Sequence, residues 1–91
     1  MQKTLRSQDY ARLIALLVTE RGRIAMSQQV LATKLDVPQS FVAKVEAGQR
    51  RVDVVEFVAI ARALGVDPLK LFRDFVSGKA PALKPRKRAP N

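Results

Sequence analysis

Apolar residues recur every three or four positions from Tyr10 through Leu13, Ile14 and Leu17 to Val18, the spacing of one buried helix face. Ser7 stands where an N-cap belongs, and Asp9 falls in the first turn, where a negative charge meets the positive end of the helix. The stretch Gly22-Arg23-Ile24-Ala25-Met26 interrupts the pattern. Ser27 then caps a second helix, expected over about 27–35, that buries Val30 or Leu31 together with Leu35. Asp36-Val37-Pro38 breaks it, because proline disfavours helical geometry in the residue before it. Pro38 itself suits the start of a third helix, over about 38–47, with Val42 and Val45 inward and Gly48 as its stop. Asp53, with Glu56 three residues on, has the form of a capping box for a fourth helix, whose stripe is Val54, Phe57, Val58, Ala61 and Leu64. Gly65 ends that helix, and Asp67-Pro68 opens a fifth containing Leu69, Leu71, Phe72, Phe75 and Val76. No alternating strand pattern and no internal repeat competes. The expectation is an all-α fold, a compact bundle of five short helices.

Composition narrows what such a bundle does. Ninety-one residues allow one small core, a poor place to carve a buried active site. There is no cysteine and no histidine, so thiolate nucleophiles, Cys-type zinc sites and the commonest general base are all missing. The eight acids are scattered, and no catalytic residue, metal or cofactor is expected. Seventeen Lys and Arg against those eight acids give a charge of +9, which points to a polyanionic partner or an anionic membrane surface. The membrane reading fails on pattern. The longest apolar stretches, Leu13 to Val18 and Phe57 to Ala61, are short, and Met1-Gln2-Lys3-Thr4-Leu5-Arg6 opens the chain without a signal-peptide core. A cytoplasmic protein is the default. The charge is also uneven. Residues 78–91 carry five Lys or Arg, no acid and three of the five prolines, and are expected to form a flexible basic tail. Residues 1–77, the expected folded domain, hold twelve basic and eight acidic side chains, a net of +4.

The informative segment is Met26-Ser27-Gln28, followed by Leu31-Ala32, Leu35-Asp36-Val37-Pro38, Gln39-Ser40-Phe41 and Val45-Glu46-Ala47-Gly48. Its order and spacing, without gaps, closely resemble the helix-turn-helix of the lambda-repressor and Cro-like family, also called the Xre family. The resemblance runs on through Ala61-Arg62-Ala63-Leu64-Gly65-Val66 and covers roughly residues 10 to 72. It implies a lambda-repressor-like DNA-binding domain whose third helix is the recognition helix. The physical fit is independent of the family. A nine-residue helix is about 13 Å long, and the B-DNA major groove, about 12 Å wide, accepts it.

Matching positions then assigns roles. Gln28 opens the second helix, where the family commonly holds a phosphate beside the helix N-terminus. Gln39, Ser40, Phe41 and Lys44 are the base-reading candidates. A glutamine makes two hydrogen bonds to adenine, serine is less selective, and lysine reaches a guanine edge or a phosphate. Phe41 either presses on a thymine methyl or tucks into the core, and the sequence leaves both open. Arg50 and Arg51 match a loop that lies on the DNA backbone in relatives. Glu46 matches a structural acid that pairs with an arginine of the first helix, here Arg21. Three positions depart from the pattern: Asp36 stands for the common turn glycine, Pro38 for a Ser or Thr cap, and Ala47 for a frequent Asn.

One such module contacts about half a turn of DNA, and relatives bind as two-fold dimers on half-sites about one turn apart. In the fifth helix, Leu69, Phe72 and Val76 are expected to cover the core, leaving Leu71 and Phe75 as a dimer seam. The expected partners are double-stranded DNA and a second copy of the chain, and the expected function is a dimeric repressor or autoregulator on a short palindromic operator. The alternative is a protein-interaction module, an antiactivator or antitoxin that blocks another regulator or a toxin. Non-specific DNA or RNA binding through the tail is a third reading.

Overall fold

A computed structural model describes residues 8–78, and their five helices follow in chain order: α1 (Gln8–Arg23), α2 (Gln28–Leu35), α3 (Gln39–Glu46), α4 (Val54–Ala63) and α5 (Pro68–Val76). The expected Ser7 cap and all of the expected tail beyond Gly78 lie outside the described residues. α2 and α3 form the tightest helix pair, braced by α4 behind α2 and by α1 behind α3; α5 packs across α4 and α1. Ala32 on α2 and Ala61 on α4 have no exposed surface, and side chains this small let the two helices approach closely. Leu16, Leu17, Leu31, Val42, Val45, Ile60 and Leu64 complete the centre of the core.

Each helix end has a local chemical cause. α1 runs through Gly22, where a sequence break was expected, and turns two residues beyond its end at Arg23, at Ala25 (φ 57°). The Met26 N–H reaches back to the Arg21 carbonyl (3.1 Å) and the Ala25 N–H to that of Gly22 (3.0 Å), closing the helix with a left-handed residue. Ser27 Oγ accepts from the Val30 N–H (3.0 Å) at the start of α2. Asp36 ends α2 in the left-handed region at φ 60°, the conformation aspartate tolerates better than most residues. Pro38 occupies the N-cap of α3, one position earlier than the first helical turn, and supplies no side-chain bond to it. Asp53 and Glu56 form the reciprocal capping box of α4, with bonds of 2.7 and 3.0 Å.

Two stripes differ from expectation. On α4 the buried residues are Phe57, Ile60 and Ala61, while Val54 points to solvent at 77% exposure. On α5 the assignment is inverted: Leu71 is buried and Phe75 half-buried, while Leu69, Phe72 and Val76 are exposed. Leu71 and Phe75 lie four residues apart on one helical face, and Leu69, Phe72 and Val76 lie on another, so spacing alone fits either choice. Tertiary contacts decide. Arg12 of α1 donates through Nη1 to the Phe75 carbonyl (3.3 Å), and its guanidinium lies 5.2 Å from the centroid of the Phe75 ring. Leu71 is 1% exposed within the core and Phe75 packs against it, so this face is the inward one. Leu71 therefore belongs to the core and cannot form a dimer seam.

Candidate nucleic-acid interface

α3 carries Gln39, Ser40 and Lys44 on its exposed side, with Val42 and Val45 anchoring the opposite side in the core. Glu46 is the single acid of α3, and it faces inward. Its Oε2 accepts from Arg21 Nε (2.7 Å), and its Oε1 accepts from Arg21 Nη2 (2.8 Å) and from Gln28 Nε2 (2.9 Å). Arg21 Nη1 donates in addition to the Met26 carbonyl (2.6 Å). One guanidinium thus ties the end of α1 to the approach to α2 and to the end of α3. The Glu46 hydrogen bonds raise the Arg21 pKa further above its already high ordinary value, against the opposing effect of burial. Gln28 in turn accepts on Oε1 from Gln39 Nε2 (3.2 Å). The phosphate candidate at the start of α2 and the base-reading candidate at the start of α3 are directly bonded to each other.

Past α3, the loop is held by groups that sequence reasoning assigned elsewhere. Tyr10, read only as a core residue, donates its hydroxyl to the Arg50 carbonyl (3.1 Å) and accepts from the Val52 N–H (3.2 Å). Arg50, expected on phosphate, makes a two-pronged contact with Glu56 (3.0 and 2.9 Å) and donates to the Arg51 carbonyl (2.6 Å). Arg50 holds the Glu56 carboxyl below its ordinary pKa, with help from the Asp53 N–H. The Arg50 guanidinium also covers the Phe41 ring, 4.4 Å from its centroid. Phe41 is half-buried beside Leu17, Leu31 and Ile60. Of its two expected settings it takes the core one, because burying the ring against this cluster removes apolar area from water, and the thymine-methyl contact is withdrawn. Arg51 is exposed, its guanidinium 5.9 Å from the centroid of the Tyr10 ring.

On the side formed by α1, α4 and α5 lies an open apolar groove of about 310 Å³, lined by Leu13, Val54, Phe57, Val58, Leu69 and Phe72 among others. No group of acidic residues among the described residues is placed to hold a metal ion. Nor is any helix among them long and apolar enough to cross a membrane.

A family model described as helix-turn-helix matches residues 20–71, from the end of α1 through the start of α5. A solved structure of an XRE-family like protein from Pseudomonas syringae pv. tomato str. DC3000 is 37% identical, with a TM-score of 0.79 over 86% of this chain and 95% of that one. The chain belongs to the Xre/Cro-like helix-turn-helix family. The restriction-modification controller protein C.AhdI from Aeromonas hydrophila is 34% identical, with a TM-score of 0.65 over 71% of this chain and 98% of that chain. No curated protein matches the chain. As an Xre-family helix-turn-helix protein, the chain has a DNA-binding, regulatory role, with α2 and α3 as its two motif helices.

Proposed function

We propose that the protein is a sequence-specific transcriptional regulator of the cytoplasm, a dimeric repressor or autoregulator that binds a short palindromic operator. The observation that carries this reading is the outward side of α3. Gln39, Ser40 and Lys44 are exposed there, and the helix's one acid is paired away behind them. A face with neutral hydrogen-bonding groups, one cation and no outward acid suits the major groove. Gln39 retains an acceptor and one N–H for an adenine edge, Ser40 and Lys44 read or flank neighbouring positions, and Gln28 and Arg51 hold phosphates. Arg50 joins them only by sharing its remaining N–H groups, since Glu56 occupies most of its fork. The five positive charges of residues 79–91 add attraction that carries no sequence information.

The second copy is placed on the apolar side. Leu69 and Phe72 of α5 and Val54 at the start of α4 line the groove and are exposed, and Val55 and Val76 on the same two helices are exposed as well. They replace Leu71 and Phe75 as the proposed seam. The same face is the one observation that favours the alternative, a module that binds a toxin or another regulator. The likeness to a restriction-modification controller protein supports a regulatory role over that alternative.

Selection of bound duplexes from a random pool tests the proposal. The expected result is an enriched inverted repeat with half-site centres about one helical turn apart. A pool that stays random rejects specific regulation, and a single enriched half-site rejects the dimer.

A further inference from the structure

Tyr10 lies in the first turn of α1, yet its hydroxyl engages a loop 40 residues away. The ring packs at the edge of the core, so the hydroxyl is carried on a rigid arm. A phenol donates and accepts at once, and here both capacities are used, on either side of one residue. The hydroxyl donates to the Arg50 carbonyl (3.1 Å) and accepts from the Val52 N–H (3.2 Å). Those groups belong to the two peptides that flank Arg51, and the Arg51 carbonyl between them accepts from Arg50 Nη1 (2.6 Å). Arg50 in turn is fixed to α4 through both Glu56 oxygens and lies over Phe41 of α3. The backbone at residue 51 is thus pinned from α1 directly and from α4 through Arg50. Its side chain is treated differently. Arg51 is exposed and makes no ion pair among the described residues, whereas Arg50 beside it is claimed by Glu56.

We infer that Tyr10 is a positioning residue for DNA binding, its hydroxyl holding the loop after α3 in the shape that presents Arg51 to a phosphate. The inference rests on the proposed phosphate role of Arg51. A loop that is ordered only on meeting DNA loses backbone freedom at that moment, and the loss subtracts from affinity. Here φ and ψ of residue 51 lie between two peptides held by one oxygen atom, so the loss falls on folding instead. A phosphate contact carries no sequence information, and the contribution of Tyr10 is therefore the same on every duplex.

Tyr10→Phe keeps the ring and removes only the hydroxyl. Binding of the full chain to the duplex enriched from the random pool, and to random duplex, is measured over a salt series. The proteins compared are wild type, Tyr10→Phe, Arg51→Ala and the double variant. Tyr10→Phe is expected to weaken both duplexes alike, by about 3- to 10-fold. It is also expected to flatten the slope of log affinity against log salt by up to about 0.9, the value of one phosphate contact. In the Arg51→Ala background the same change is expected to move affinity by less than about twofold and to leave the slope unmoved, because the contact it positions is already gone. Equal weakening in both backgrounds overturns the inference; that is the result if the phenol itself touches DNA or if its loss only loosens the fold. Unchanged affinity and slope in Tyr10→Phe overturn it as well. If Arg51→Ala alone alters neither affinity nor slope, the phosphate role of Arg51 fails and the inference falls with it. That result is distinct from an active Arg51 that Tyr10→Phe leaves undisturbed.

Discussion

Leu69 and Leu71 stand two residues apart on α5 and face opposite ways, 73% and 1% exposed. Leu71→Ala removes three carbons from the seam where α5 meets the core, and truncations at sites this buried cost about 2–5 kcal/mol. A short terminal helix over a small core can settle partway into the gap, which places the cost near ~3 kcal/mol. Total stability for a domain of this size is roughly 5–13 kcal/mol, so the loss is a large share of it. It corresponds to a fall in Tm of about 12–24 °C. Leu69→Ala loses little buried surface and should change the stability of dilute protein by no more than ~0.5 kcal/mol. It should instead weaken self-association. Urea unfolding followed by circular dichroism at low concentration measures the first effect, and sedimentation velocity over a concentration series measures the second. If Leu69→Ala unfolds the dilute protein as readily as Leu71→Ala, the orientation of α5 described here is wrong.

Three further outcomes follow from particular contacts. Ala25 holds a left-handed conformation at φ 57°, so Ala25→Gly should stabilise the fold by about 1 kcal/mol and raise Tm by about 4–8 °C; a melting temperature equal to or below that of wild type contradicts strain at that turn. The Glu56 carboxyl is held below its ordinary pKa first by Arg50. Its contribution is therefore present above the unfolded value of about 4.3 and lost as pH falls through the lower folded value. Glu56→Gln should accordingly be less stable than wild type at pH 7 and converge on it as pH falls through the lowered folded value, and a difference that does not shrink in acid refutes the assignment. Deleting residues 79–91 removes five positive charges and should flatten the salt dependence of binding by up to about 4–5 units of log slope. It should weaken selected and random duplexes alike, and a selective loss of the selected duplex would show that these residues read sequence.

The parts of this protein that were legible in its sequence are those with local causes. Ser27, the Asp53–Glu56 box and Gly48 act within one helical turn, and their chemistry appears as spacing. The Val42 and Val45 anchors of α3 were legible for the same reason. The rest depends on contacts between distant residues. The face that α5 buries depends on its packing against α4 and α1, where Arg12 donates to the Phe75 carbonyl 63 residues away, and two stripes of equal helical spacing gave no means of choosing. Arg21 was matched to Glu46, but no spacing rule names Gln28 as the second donor to that carboxylate, 18 residues away. Glu56 was visible as a cap; its second role, claiming Arg50 across the loop, leaves no periodic trace. The setting of Phe41 depends on Leu17, Leu31 and Ile60 beside it and on Arg50 over its ring, none of which spacing places there.

Gln39 at the start of α3 either reads a base or serves only its bond to Gln28, and competition binding separates the two. The labelled probe is the duplex enriched from the random pool, displaced by unlabelled copies of itself or by random duplex at physiological salt. Wild type should require about 10³-fold or more random duplex for equal displacement, and Gln39→Ala should narrow that gap by about tenfold or more. Random duplex that competes equally, with Gln39→Ala indistinguishable from wild type, would contradict the account.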